Sequence, residues 1–203
     1  MALVDGFPAG LSIDTDAIDH DLRLRQGGYG RGGRQKLETD RVEILTGVWQ
    51  GTTLGSPIAL QVINRDYKLE RLKELQRPRP GHGDLTGAIK YLGSVRGILE
   101  RASARETAVR VAAGSLAKQL LAQFGIQAVG YVAELGGQPI APVEANIEEM
   151  RQRRDQSQIY SLRPEDDPKF IELIDQTATD GDTLGGVLEV RVEGIPFGFG
   201  THA

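Results

Sequence analysis

Apolar positions recur along this chain with two different periods. Ile18 and Leu22 stand four apart just after Asp14 and Thr15, so one of those polar residues is expected to cap a helix running to about Leu24. Ile58, Leu60 and Val62 alternate with Ala59, Gln61 and Ile63, while Val42 to Trp49 precedes them across Gly51–Gly55. Both arms therefore read as strands of a hairpin, with Trp49 expected to pack at a strand end. Asp66 to Gln76 spaces Leu69, Leu72 and Leu75 by three in a charged setting, which predicts a short charged helix or lid with a solvated face.

The second half opens with a helix expected from about Ala102 or Ala104 to Phe124, closed by Gly125. Its small residues, from Ala104 and Ala108 through Ala112, Ala113, Gly114 and Ser115 to Ala117, predict close packing against sheets or a partner helix. Ile126 to Leu135 reads as a strand, and Gly136 to Gln158 carries little signal. Asp166 or Asp167 with Pro168 starts a helix bearing Phe170, Ile171 and Ile174. Leu188, Val190 and Val192 alternate with Glu189, Arg191 and Glu193, the pattern of a half-exposed strand. Helices interleaved with hairpin-like strand pairs indicate an α+β protein with antiparallel sheets packed on helices.

Composition narrows the chemistry. The chain has 203 residues, a prior for one domain or part of one, and no linker suggests a second. It contains no cysteine, which excludes disulfides and thiol nucleophiles, and its three histidines (20, 82 and 202) make a His-rich metal centre a poor expectation. A net charge of −4 argues against general affinity for nucleic acid or anionic membrane. No apolar run approaches a membrane span, and no basic-then-apolar leader opens the chain, so a soluble, cytoplasmic protein is expected. Clustered arginines in an acidic chain then read as local anion sites.

Three phrases carry that reading. Arg79-Pro80-Gly81-His82-Gly83-Asp84 is a turn stiffened by proline and folded closely by glycine, presenting an imidazole beside arginines at 77 and 79. Glu100 to Thr107 brings Arg101 and Arg105 to the start of the long helix. Arg25-Gln26-Gly27-Gly28-Tyr29-Gly30-Arg31-Gly32-Gly33-Arg34 spaces arginines by glycines, a flexible loop that can wrap a phosphate. Taken singly, each also suits a solvated turn or helix start. Asp84 and Glu106 could orient the arginines, or serve as a turn acid and a helix N-terminal acid. His20, on a helix between Asp19 and Asp21, reads as a surface histidine.

In this order, with the opening Gly6-Phe7-Pro8-Ala9-Gly10-Leu11, the stretch Lys36 to Leu45, and Gly181 to Gly186, the phrases resemble the chorismate synthases along nearly the whole chain. The resemblance implies a β-α-β sandwich, helices between antiparallel sheets, assembled as a homotetramer. It implies the conversion of 5-enolpyruvylshikimate 3-phosphate to chorismate, a 1,4-anti elimination of phosphate on the route to the aromatic amino acids. Reduced FMN is implied as cofactor, with NADPH as a source of reducing equivalents. By match of position, His82 would be the proton donor beside the flavin. Arg25, Arg31, Arg34, Arg79 and Arg105 would face the anionic substrate, Arg101, Ala102 and Ser103 the FMN, and Arg25 and Arg31 also NADP.

Three departures accompany the likeness. The family's opening strand and Gly-Glu-Ser-His-Gly phrase, with a second histidine, have no counterpart here. The family's later segment, with a Lys-Pro phrase and a late arginine, is also without one, and the stretch between Tyr91 and Arg101 is one residue short, with Gly93-Ser94 where an Arg-Asp pair is usual. Such a partial domain is expected to leave sheet edges and an apolar helix face open and to be inactive alone. Two other readings compete: a remnant serving as an anion-binding or assembly module, and an RNA-binding protein, the latter disfavoured by acidity and few aromatics.

Overall fold

The computed structural model describes residues 1–30, 40–64, 73–75, 77–101 and 106–199. Nine strands and six α-helices are assigned among them. They form an α+β fold whose three sheets, each of three strands, are paired antiparallel throughout. The chain divides into two compact units, Met1–Leu22 with Glu38–Ala113 and Arg23–Leu37 with Gly114–Ala203.

In the first unit, β1 (Ala2–Val4), β6 (Ile58–Val62) and β3 (Val42–Thr46) make one sheet with β6 central. The expected hairpin is there, with Val42 opposite Val62 and Ile44 opposite Leu60. Its connection is more than a loop: β4 (Val48–Trp49) and β5 (Thr52–Leu54) join β2 (Ala9–Ser12) in a second sheet. Gln50 and Gly51 link β4 to β5 with φ of 48° and 76°, the two positive values of a type I′ turn. Trp49, expected to pack, is instead 68% exposed beside that tight turn. The opening residues also hold two strands, β1 and β2, where the apolar pattern is too short to show any. Thr53 secures the second of them, accepting from Leu11 N–H at 2.9 Å and donating to the Pro8 carbonyl at 2.7 Å.

Helix α1 (Thr15–Gln26) begins as its sequence predicts, with Asp14 accepting from the Asp16 and Ala17 amides at 2.9 and 3.1 Å. Ile18 and Leu22 are fully buried. Two short helices, α2 (Asp84–Tyr91) and α3 (Val95–Arg101), have no counterpart in the apolar pattern. They pack so closely at Gly87 that a Cβ there would collide with Ile98. The predicted helix at Asp66 to Gln76 falls almost wholly outside the described residues.

In α4 (Glu106–Ala122) the small residues do face inward, Ala108, Ala112 and Ser115 being buried with Leu116, and Gly125 follows at φ 72°. In the second unit, β7 (Gln127–Leu135) lies between β8 (Gln138–Pro139) and β9 (Gly186–Glu193). Among the described residues, two apolar clusters build its core. Val129, Ile147, Met150 and Leu162 form one, and Ile140, Ile159 and Phe170 form the other. They bring in α5 (Ile147–Gln156), from the stretch of weak signal, and α6 (Asp167–Asp180), which starts at Asp167 with Pro168 in its first turn, as expected.

Among the described residues, each unit has an open apolar surface. Leu85, Ile89 and Leu92 are exposed along and just after α2, and β9 is exposed on both faces rather than on one. Among the described residues, no helix is long and apolar enough to cross a membrane.

Candidate functional site

The Pro/Gly turn before α2 gathers three side chains whose chemistry interlocks. Gly81 takes φ 69°, a conformation that glycine adopts without steric penalty, and the chain reverses so that Asp84 opens α2 beneath the turn. Asp84 is fully buried. Its carboxylate accepts three hydrogen bonds from Arg79: at Oδ2 from the backbone N–H at 3.0 Å and from Nε at 2.9 Å, and at Oδ1 from Nη2 at 3.1 Å. This is the fork-on-carboxylate geometry that guanidinium chemistry favours. The Arg79 guanidinium beside Asp84, helped by the Arg79 amide and His82, holds the carboxyl well below the usual carboxylate range against the opposing effect of burial. The same pairing raises the pKa of Arg79.

His82 completes the cluster. Its Nδ1 lies 2.7 Å from Asp84 Oδ1. A carboxylate offers lone pairs and no proton, so Nδ1 must carry the hydrogen, and Nε2 is left as the ring's working atom. Arg79 Nη2 stands 3.0 Å from both ring nitrogens. Those nitrogens flank one carbon, so an atom in the ring plane could not reach both without overlapping it. The guanidinium nitrogen therefore lies over the ring face, a cation stacked on imidazole. Asp84 thus fixes the ring from one side and Arg79 from another, while roughly a third of the His82 side chain (32%) remains open. The arrangement offers one oriented imidazole nitrogen and a half-exposed guanidinium to an approaching anion.

Of the sequence-predicted residues, the structure brings Arg79 and His82 together. Arg101 ends α3, but its side chain, with Ala102, Ser103 and Arg105, lies outside the described residues, as do Arg31 and Arg34. Arg77 is exposed in the turn. Glu106 pairs with Arg110 at 3.0 Å one helical turn on, the role of a helix-surface acid. Asp84, equally readable as a turn acid, proves to be the buried anchor of the cluster. The Arg-x-x-His-x-Asp spacing carries a hint of this, since a carboxylate so near both partners has little else to neutralise.

Arg25 sits half-buried in the last turn of α1 within the second unit. Gly27 and Gly30 after it do something other than give flexibility. A Cβ on Gly27 would collide with the Tyr160 hydroxyl, which itself donates to the Leu24 carbonyl at 2.7 Å. A Cβ on Gly30 would meet Ile174 at 2.8 Å. Between them Tyr29 is held by its amide, donating to Gln158 O at 2.7 Å, and by its hydroxyl, 3.0 Å from both Asp175 oxygens. The described start of the loop is pinned, with the arginines at 31 and 34 following the anchor. Tyr29 and Tyr160 also line a cavity of about 390 Å³ with Tyr131, Leu188 and Val190.

Comparison with known proteins gives the family. A family model described as chorismate synthase matches residues 1–203. The chorismate synthase of Enterococcus faecalis is 46% identical over 217 residues, spanning 99% of this chain and 56% of that protein. That of Symbiobacterium thermophilum is 48% identical, spanning 100% of this chain and 56% of its own length, and that of Geotalea daltonii is 49% identical, spanning 99% and 54%. A solved structure, a crystal structure of chorismate synthase, superposes with a TM-score of 0.75 at 38% identity, covering 94% of this chain and 52% of that one. The chain thus spans about half the length of the relatives it matches, as their 54–56% coverage shows. A match that runs through the Arg79–His82 turn and along all 203 residues makes this chain a member of the chorismate synthase family.

Proposed function

We propose that this chain carries the arginine and histidine part of a site for chorismate synthase chemistry: loss of phosphate from 5-enolpyruvylshikimate 3-phosphate, by 1,4-anti elimination, to give chorismate for aromatic amino acid biosynthesis. The observation that supports it is the Arg79–His82–Asp84 cluster, an oriented imidazole nitrogen beside a fixed guanidinium. A substrate with a phosphate and two carboxylates calls for several guanidinium groups, each charge-assisted hydrogen bond contributing about 1.5–3 kcal/mol. Arg79 stands ready without reorganisation, and Arg25, Arg31, Arg34 and Arg105 join it in the proposal. Positive charge already in place stabilises the departing phosphate as its charge develops.

The donor set also suits an anionic planar ring, because His82 Nε2 and the half-exposed Arg79 guanidinium, whose Nε and Nη2 are engaged by Asp84, are the groups the turn presents. Arg101, Ala102 and Ser103 are proposed to hold FMN, whose reduced form supplies an electron lent and recovered in a redox-neutral reaction. In its doubly protonated form His82 gives up the proton on Nε2 and keeps the one on Nδ1, which Asp84 holds so that the ring stays aimed. Arg25 and Arg31 are proposed to meet NADPH as well. A single partial domain in a homotetramer, working in the cytoplasm, completes the reading.

The test is a chimera that adds to residues 1–203 the stretches of the Enterococcus faecalis protein outside its match, assayed anaerobically with reduced FMN and the phosphorylated substrate. Phosphate release is expected, and His82→Ala should lower it by about 10²–10⁴-fold, the range for loss of a general acid. Residues 1–203 alone should release none. A folded chimera without activity, or one indifferent to His82→Ala, counts against the reading. Substrate binding without turnover in both proteins would favour the anion-binding or assembly module instead.

A further inference from the structure

We propose that Tyr160 is a positioning residue, whose hydroxyl fixes the end of α1 that carries Arg25 and so aims that guanidinium at the anionic substrate. The inference rests on the reading of Arg25 as a substrate-facing arginine. Among the described residues Tyr160, at φ 60°, is one of three that are not glycine and have a positive φ. The other two have local reasons. Gln50 lies in the two-residue turn between β4 and β5, and Leu92 is the left-handed residue that ends α2. Tyr160 stands beyond the extended residue that ends α5, where no hairpin or helix cap calls for left-handed backbone. Glycine would adopt this conformation without strain, so a tyrosine here points to a task for its side chain.

Buried polar groups hold the strained residue in place. Ser157 Oγ accepts from the Ile159 and Ser161 amides at 3.2 and 3.0 Å, one on each side of Tyr160. The same hydroxyl donates to Asp167 Oδ1 at 2.8 Å, and Asp167 Oδ2 accepts from the Gln158 amide at 2.6 Å. Ser157, Ser161 and Asp167 are all buried. The Tyr160 carbonyl accepts from Val132 N–H at 2.9 Å, which ties the segment to β7. This frame meets the end of α1 through Tyr160 and Gln158. The Tyr160 hydroxyl donates to the Leu24 carbonyl at 2.7 Å, and the Gln158 carbonyl accepts from Tyr29 N–H at 2.7 Å. Leu24 lies in the last turn of α1, where helix geometry leaves carbonyls in want of donors. Arg25 is the next residue, and Gly27 beyond it packs against the same hydroxyl. The backbone is therefore gripped on both sides of Arg25, at Leu24 and at Gly27 and Tyr29. A guanidinium carried on a fixed helix end gives up less freedom when it meets an anion.

Tyr160→Phe removes the hydroxyl and keeps the ring. The test is calorimetric titration of 5-enolpyruvylshikimate 3-phosphate into the chimera with the Enterococcus faecalis stretches. Tyr160→Phe should raise Kd by about three- to tenfold, the range for one lost hydrogen bond. In an Arg25→Ala background it should add nothing, since the group it aims is gone. Gly27→Ala separates positioning from packing. Its methyl group collides with the Tyr160 hydroxyl, so the melting temperature should fall. Combined with Tyr160→Phe the nearest atoms stand 3.5 Å from that methyl, and most of the stability should return while binding stays weak. If Tyr160→Phe alone fails to fold, Gly27→Ala displaces the hydroxyl and enters the same cycle with Arg25→Ala. Unchanged binding in Tyr160→Phe, or a loss that multiplies with that of Arg25→Ala, overturns the inference and leaves the proposed elimination standing. Binding that recovers together with the melting temperature makes Tyr160 a packing residue and overturns it too. A parent chimera that does not bind the substrate overturns the proposed elimination, with Tyr160 in place, and the inference with it.

Discussion

His82 Nδ1 lies 2.7 Å from Asp84 Oδ1, and the carboxylate that makes this contact is fully buried while the imidazole is not. The pairing is directional. The buried partner is the anchor, fixed on the first turn of α2 and gripped by Arg79, and the open partner is the presented group. The asymmetry keeps the ring aimed, since an imidazole free to rotate would spend little time with Nε2 in one direction. The first prediction follows from the anchor. Asp84 is held below the usual carboxylate range by Arg79, so its contribution to stability is present above the unfolded carboxyl pKa of about 4 and is lost as pH falls through the lower folded value. Asp84→Asn should lower the melting temperature at pH 7, and the gap from the parent should close as the pH is taken from 6 toward 2. A gap that stays constant over that range would mean the carboxylate charge is not what holds the turn.

Arg79 offers a separate test of the same cluster. Its Nε and Nη2 reach different oxygens of Asp84 while Nη2 also covers the imidazole. Lysine carries the charge but has no fork and no planar face. Arg79→Lys should therefore leave the net charge unchanged yet broaden and shift the His82 ring signals in NMR, leaving those of His20 and His202 in place. Unaltered His82 signals would show that charge alone, and not the fork, positions the ring.

Where the chain's physics is local, the sequence is readable. Ile18 and Leu22 announce α1, Asp14 its cap, Pro168 and Phe170 announce α6, and the Ile58–Val62 alternation marks the central strand of a sheet. The misses share a cause, which is that a tertiary contact decides the outcome. Helices α2 and α3 are short, and Gly87, Gly93 and Gly97 in and between them are residues of poor helix propensity; Gly87 is tolerated because Ile98 occupies the space its side chain would fill. Trp49 looks like a core residue by type, and a two-residue turn holds it outside. In the candidate site, the Pro/Gly turn and its arginine and histidine can be read from the sequence. The inward direction of Asp84 cannot, because separations of two and five residues fix proximity and leave burial undecided. Gly27 and Gly30 read as flexibility, and they prove to make room for Tyr160 and Ile174.

A third prediction concerns α5, whose sequence signal is present but short. Asn146 accepts from the amides of Glu148 and Glu149 at 3.1 and 2.9 Å, and the Glu149 side chain accepts from the Asn146 amide at 3.2 Å. This is a reciprocal capping box on a helix with a mostly polar sequence, so the cap carries an unusual share of its stability. Asn146→Ala should destabilise by about 1 kcal/mol, in a range of about 0.5–2, and should lower the melting temperature by about 2–4 °C per kcal/mol in a chain of this size. Asn146→Ser should recover most of the loss. An alanine variant that melts with the parent would show that Ile147 and Met150 hold α5 without its cap.

Tyr29 tests whether the arginine loop is pinned as described. Its hydrogen bond to Asp175, with some burial, raises the phenol pKa. A raised folded value means that the contribution is complete below the unfolded pKa of about 10 and disappears as pH rises through the folded one. Tyr29→Phe should accordingly melt below the parent at pH 8, with the two curves converging as the pH is raised past 10. The same variant should speed hydrogen exchange at residues 27–30, whose anchor is the Tyr29 side chain and amide. Exchange unchanged at these positions would place the anchoring in Gly27 and Gly30 packing instead.

The last prediction bears on how the chain passes from the first sheet to the second. Gly47 stands between β3 and β4 at φ 84°, and its carbonyl accepts from Leu54 N–H at 3.0 Å. A Cβ at this position would lie 2.6 Å from the Pro57 carbonyl oxygen and 2.7 Å from Ile58 Cα, both backbone atoms that cannot rotate away. Gly47→Ala thus combines left-handed strain with a clash against β6, the central strand of its sheet, and should destabilise by about 1–3 kcal/mol. Gly6→Ala separates the two effects: Gly6 has φ 73°, and a methyl group added there would meet nothing within 4 Å, so it incurs the strain alone. Its loss should be about 1 kcal/mol, near the low end of the left-handed penalty. Equal losses at the two sites would mean that β6 yields to the added methyl, and that the crossing between the sheets is softer than its close contacts imply.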